Sequence, residues 1–116
     1  MTDALFVYGS LRSEFDNRHA VQLRSEATLL GRATVRGSIF LVGRYPGYRA
    51  EPDGVVHGEA WRLPDPEMTL AALDEYEGSK YRRIMMPTSI TAAWIYEYVG
   101  PVEAGQRIES GDFLVR

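Results

Sequence analysis

The sequence predicts an α+β fold, with a curled antiparallel or mixed sheet accompanied by one or two helices. Three observations predict it. Short β-prone apolar segments recur along the chain between breaks that contain Gly or Pro. One segment, residues 65–78, carries a full set of helix start and stop signals. A hydrophobic content of 45% with a net charge of −3 over 116 residues suits one folded domain, residues 1–116, with one core.

The first strand is expected at residues 4–8, a continuous apolar run that ends at Gly9-Ser10 as a buried strand entering a tight turn would. Over residues 16–24 alternation is lost, and Asp16 or Asn17 is placed to cap a short helix with Ala20, Val21 and Leu23 turned inward. Residues 28–42 read as two short strands with a bend or bulge at Gly31 and Gly37. Tyr45-Pro46-Gly47-Tyr48 has the composition of a turn, with Pro presetting φ and Gly accepting positive φ, and a second turn is expected at Pro52-Asp53-Gly54. The segment 55–63 is extended, with Val55, His57, Glu59 and Trp61 on one face and Val56, Gly58, Ala60 and Arg62 on the other.

The helix is then expected over about 66–76, with Asp65 as N-cap, Pro66 at the first position, Leu70 and Leu73 buried and Gly78 at the C-terminal cap. Residues 82–90 and 93–99 read as two strands joined near Thr91, with Trp94, Tyr96 and Tyr98 alternating against Ile95, Glu97 and Val99.

Composition excludes several kinds of chemistry. With no Cys there is no thiol nucleophile, disulfide framework or thiolate zinc site, and two His cannot form a His-only metal site. The longest apolar runs are five residues, Ala4 to Tyr8 and Ala92 to Tyr96, against about 20 for a membrane-spanning helix. Mild acidity and the absence of a basic cluster larger than Arg82-Arg83 argue against nucleic acid as partner. The start Met1-Thr2-Asp3-Ala4 lacks a basic and an apolar leader region, so a cytoplasmic location is the expectation. Nothing in the composition sets an oligomeric state.

Two segments are candidates for chemistry. A Gly after a strand, as in Tyr8-Gly9-Ser10-Leu11, lets backbone N–H groups converge on a carboxylate or phosphate, although the same sequence also serves as a plain turn. Glu77 lies four residues after Leu73, toward the buried helix face, and directly before the Gly that ends the helix. A carboxylate facing a partly apolar pocket has its pKa raised and becomes a proton shuttle near neutral pH. The alternative, which spacing alone favours, is a solvated residue at the helix end. Glu59 is a rival acid, since it shares a strand face with His57 in an arrangement open to an acid/base dyad or to a surface or structural role. His19 reads as a surface residue, and the Ser residues lack a G-x-S-x-G context.

Phe6-Val7-Tyr8-Gly9-Ser10-Leu11, Gly54-Val55-Val56-His57-Gly58-Glu59, and Leu73-Asp74-Glu75-Tyr76-Glu77-Gly78 followed by Tyr81-Arg82-Arg83 together resemble the gamma-glutamylcyclotransferase-like superfamily. Its small bacterial members also carry a turn like Tyr45-Pro46-Gly47 and an ending like 108–113. The resemblance covers nearly the whole chain in order. It implies a β-barrel-like mixed sheet flanked by two or so short helices, with Tyr8, Gly9, Ser10 and Leu11 binding the glutamyl moiety and Glu77 as general acid/base. Tyr81 helps line the site, Arg83 is structural, and no catalytic role falls to Glu59. The implied reaction cyclises a γ-glutamyl amine or amide to 5-oxoproline with release of the amine, and needs no metal or organic cofactor. A non-enzymatic ligand-binding or regulatory module using the same cavity is the alternative.

Overall fold

In the computed structural model, residues 3–9, 11–12 and 17–115 are described. The apolar run that opens the chain forms β1 (Ala4–Val7), buried at every position. Such a strand needs apolar cover on both faces. On one face Ala4 and Phe6 join Ile39, Val56, Ile95 and Phe113 inside the curl of the sheet. On the other, Leu5 and Val7 join Trp61, Tyr96 and the inward leucines of the two helices. The apolar residues therefore divide between the two faces of one sheet, where composition alone suggested a single core.

Helix α1 (Arg18–Glu26) is capped by Asn17, whose side chain accepts from the Ala20 N–H at 2.9 Å. Asp16 lies outside the described residues. Ala20 and Leu23 are buried, whereas Val21 points outward at 46% exposed because, at about 100° per residue, it lies off the narrow arc that Ala20 and Leu23 share. Strands β2 (Thr28–Arg36) and β3 (Ser38–Val42) separate at Gly37, with a bulge between Leu29 and Gly31.

Tyr45-Pro46-Gly47-Tyr48 is not a turn. It begins β4 (Tyr45–Arg49), paired antiparallel with β3 from Ser38↔Arg49 to Val42↔Tyr45, and the reversal occurs at Gly43-Arg44. Gly47 serves close approach: a Cβ there would lie 2.7 Å from Tyr98 Cβ.

Strand β5 (Val55–Arg62) pairs with both β2 and β1, and its two faces divide as the alternation predicts. Helix α2 (Pro66–Glu77) begins at the Asp65 cap, which accepts from the Met68 N–H at 3.3 Å, buries Leu70 and Leu73, and ends at Gly78. Strands β6 (Tyr81–Pro87) and β7 (Ala92–Tyr98) form an antiparallel hairpin.

The seven strands run in the order β2-β5-β1-β7-β4-β3, with β6 against β7. A bridge between Val35 and Thr88 and the bond from Ser89 N–H to the Thr34 carbonyl at 2.9 Å bring β2 toward the β6–β7 turn, which curls the mixed sheet into a half-barrel. Because β6 lies along one edge of β7, β1 and β4 share the other. β1 pairs at Leu5↔Trp94 and β4 at Tyr48↔Glu97, both parallel. The two strands part between these points.

Candidate active site

A cavity of about 300 Å³ lies where β1 leaves the edge of β7. Tyr8, Gly9 and Leu11 reach it from the end of β1, Tyr45 and Pro46 from β4, and Tyr76 and Glu77 from the last turn of α2. Tyr81 and Tyr96 complete the wall from β6 and β7. Among the described residues lining it, Glu77 is the one with an ionisable carboxyl.

Local sequence explains why Glu77 stands there. Leu70 and Leu73 set the buried face of α2, and one further turn brings residue 77 round to the same side. Gly78 takes φ of 81°, a left-handed conformation that lets the chain leave the helix at once toward β6. Its N–H donates to the Asp74 carbonyl at 3.1 Å. Burial among aromatic rings pushes the Glu77 carboxyl up from 4.5 to about 7.

The Tyr8 side chain turns into the sheet. Its hydroxyl donates to the Tyr96 carbonyl at 2.6 Å and accepts from the Tyr48 N–H at 3.1 Å. Burial, followed by the neighbouring Tyr81, raises its pKa well above the usual tyrosine value, so this hydroxyl stays protonated. The Arg12 N–H donates to the Gly9 carbonyl at 3.1 Å, closing the turn after β1. Gly9 is required there for space: a Cβ would stand 2.9 Å from Pro46 Cγ. Tyr81 donates its hydroxyl to the Pro46 carbonyl at 3.1 Å and packs edge-on against Tyr98. Burial raises its pKa to about 12.

Of the residues the sequence singles out, Tyr8, Gly9, Leu11, Glu77 and Tyr81 thus meet at one cavity, and Ser10 lies outside the described residues. Glu59 and His57 do not join them. Glu59 is 3% exposed, with the Trp61 indole N–H 3.4 Å away, whereas His57 is exposed beside Arg32, Ser89 and Asp112 in a separate recess. The strand alternation put both on one face, but α1 and α2 cover only part of that face.

Besides Phe6 and Val7, which lead into the turn, four further wall residues, Tyr45, Pro46, Tyr76 and Tyr96, are not among those the sequence singles out. For Tyr76 its position beside Glu77 was a usable signal; the others arrive through pairing over long separations. His19, read as a surface residue, stacks on Tyr76 with ring centroids 3.8 Å apart. Arg12, a residue the sequence does not single out, is fully buried and donates to Asp112 Oδ1 at 2.8 Å. Burial raises the Asp112 carboxyl, but the Leu114 N–H and the Arg12 guanidinium outweigh this and hold it below its ordinary value.

The chain matches the family model described as gamma-glutamyl cyclotransferase, AIG2-like, over residues 5–115. It is 40% identical to the gamma-glutamylcyclotransferase family protein YtfP of Escherichia coli K12, across 97% of this chain and 96% of that protein. Its fold is similar to the solution structure of E. coli ytfP, with TM-score 0.75 and 36% identity over 96% of each chain. It is also similar to the crystal structure of protein PH0828 from Pyrococcus horikoshii, with TM-score 0.79 and 26% identity over 97% of this chain and 90% of that one. The match over nearly the whole length, together with the cavity between the Tyr-Gly-Ser-Leu turn and the Glu-Gly step, makes this chain a member of the gamma-glutamyl cyclotransferase, AIG2-like family.

Proposed function

We propose that the protein cyclises a γ-glutamyl amine or amide to 5-oxoproline and releases the amine, with Glu77 as general acid/base. One observation carries this reading: a carboxyl with a pKa of about 7 opens on the same cavity as the turn that follows β1. A general base is most effective when its pKa lies near the working pH. At about 300 Å³ the cavity falls at the small end of ligand pockets, roughly 300–1,000 Å³.

The substrate brings its own nucleophile. Glu77 takes a proton from the substrate α-ammonium, and the freed α-amine attacks the γ-carbonyl carbon. Glu77 passes that proton to the leaving nitrogen, takes the second proton from the ring nitrogen as the lactam forms and the old carbon–nitrogen bond breaks, and gives it to the departing amine, which leaves as an ammonium. Holding the glutamyl chain folded back replaces a bimolecular encounter, an effect that reaches about 7 kcal/mol where geometry is ideal. The glutamyl α-carboxylate needs a partner, and no described lining residue is Lys or Arg. Backbone N–H groups of the 8–11 turn supply that role, with the Tyr81 ring closing the side of the pocket. Ser10 belongs to this turn by sequence.

The test is release of 5-oxoproline from a panel of γ-glutamyl amino acids and γ-glutamyl amines, followed by mass spectrometry. Glu77→Gln should abolish turnover while its melting temperature stays at or above that of the wild type. Full turnover in Glu77→Gln would overturn the assignment. Calorimetric binding of a γ-glutamyl compound without turnover across the panel would leave a binding module in its place.

A further inference from the structure

Glu77 is the last residue of α2, and a helix end frays unless something beyond its own backbone holds it. The apolar anchors Leu70 and Leu73 lie behind it. A carboxylate at such an end gains hydration by swinging away from an aromatic cavity. One turn of helix back, Asp74 is held on both oxygens. Its Oδ1 accepts from the Tyr96 hydroxyl at 2.6 Å and from Arg83 Nε at 3.0 Å, and its Oδ2 from an Arg83 terminal nitrogen at 3.1 Å. The Arg83 guanidinium in turn lies 4.6 Å from the centre of the Trp94 ring.

This bridge ties α2 to β6 and β7 at once, and its β7 member reaches further. Tyr96 lines the cavity with its ring, while its backbone carbonyl accepts from the Tyr8 hydroxyl at 2.6 Å. A single residue of β7 thereby connects the turn after β1 with the end of α2. Burial, and then the bond to Asp74, keeps the Tyr96 hydroxyl protonated and so a fixed donor. A partly exposed ion pair alone does little for stability. A planar fork stacked on an aromatic ring and shared with a tyrosine hydroxyl instead defines a geometry.

We propose that Arg83, Asp74 and the Tyr96 hydroxyl are positioning residues that hold the last turn of α2, and with it Glu77, over the cavity. The proposal rests on the acid/base reading of Glu77 for its catalytic consequence but not for its structural one. The two are therefore tested by separate measurements.

The first measurement needs no substrate: a carbon-13 NMR titration of the Glu77 carboxyl in the full chain, for wild type, Tyr96→Phe and Arg83→Lys. The hydroxyls of Tyr8, Tyr81 and Tyr96, residues that line the cavity, stay neutral through this range, so the titration reports where the carboxyl sits. In Tyr96→Phe, which keeps the ring, the Glu77 midpoint should fall from about 7 by about one unit or more toward 4.5. Arg83→Lys, which keeps the charge and loses the fork, should shift it part of the way and guards against a misfolded Tyr96→Phe.

The second measurement is 5-oxoproline release. Tyr96→Phe should lower kcat by roughly 10- to 100-fold with KM within about threefold. Asp74→Asn combined with Tyr96→Phe should be no worse than either alone, as expected for residues acting as a unit. Wild-type titration and wild-type kcat in Tyr96→Phe would overturn the proposal. A shifted titration alongside full turnover of Glu77→Gln would support the bridge and overturn the acid/base reading instead.

Discussion

The Tyr8 hydroxyl donates to the Tyr96 carbonyl at the point where β1 parts from β7, and the same oxygen accepts from Tyr48 on β4. One phenol group therefore secures three strands at the mouth of the cavity. Tyr8→Phe keeps the ring and deletes these bonds inside a buried region. Its cost should be about 1–3 kcal/mol, read from urea unfolding, with a loss of turnover because the turn after β1 loses its anchor. Unchanged stability would mean the hydroxyl is dispensable to the sheet.

Glu77 links stability to pH in the direction opposite to a salt-bridged acid. Its native pKa of about 7 lies above the ordinary 4.5, so the folded state binds the proton more tightly. The resulting contribution is in place below pH 4.5 and is lost as pH rises through 7. Relative to Glu77→Gln, the wild type should lose about 1–3 kcal/mol between pH 4.5 and pH 8. Unfolding curves of both proteins at the two pH values measure this, and parallel pH profiles would refute a buried Glu77.

Gly9→Ala tests the contact with Pro46. A methyl group 2.9 Å from Pro46 Cγ must push the turn or the β4 strand aside. Because the proline ring has little freedom, the expected outcome is weaker binding of γ-glutamyl compounds by about tenfold or more, with a stability loss of about 1–3 kcal/mol. Calorimetry and thermal unfolding on the same sample separate the two effects. Binding at wild-type strength would show that the turn tolerates the methyl.

Asp112 ties the C-terminal segment to Arg12, at the end of the turn after β1. Its carboxyl is held below the ordinary 3.8, so its stabilisation is present above that value and is lost as pH falls through the lower native one. Asp112→Ala removes a charged partner from the fully buried Arg12 and should cost about 2–4 kcal/mol at neutral pH. The difference from wild type should shrink in acid. A constant difference from pH 7 to pH 2 would argue against the ion pair as its source.

Residues close in sequence wrote much of this structure in advance. Asp65, Pro66, the Leu70 and Leu73 pair and Gly78 determine α2 within one short segment, residues 65–78, and Glu77 inherits its position from them. The alternations over residues 55–63 and 93–99 likewise reveal which side chains share a face, because the strand period is local. The ordered motifs pointed to the family and to five of the residues that line the cavity, Tyr8, Gly9, Leu11, Glu77 and Tyr81.

Other features depend on partners far along the chain. Tyr45-Pro46-Gly47-Tyr48 has turn composition, yet β3 pairs with it and Tyr98 occupies the space beside Gly47. Arg12 looks like a loop residue until Asp112, 100 positions later, receives its guanidinium. Asp74 takes its side-chain partners, Arg83 and Tyr96, from 9 and 22 positions further along the chain. By itself the sequence determined the helix that carries Glu77 and the turn that faces it. Only the tertiary structure decided that β1 and β4 divide one edge of β7 between them. That parting opens the cavity, and it arises from strand pairing across the whole chain, which no local periodicity records.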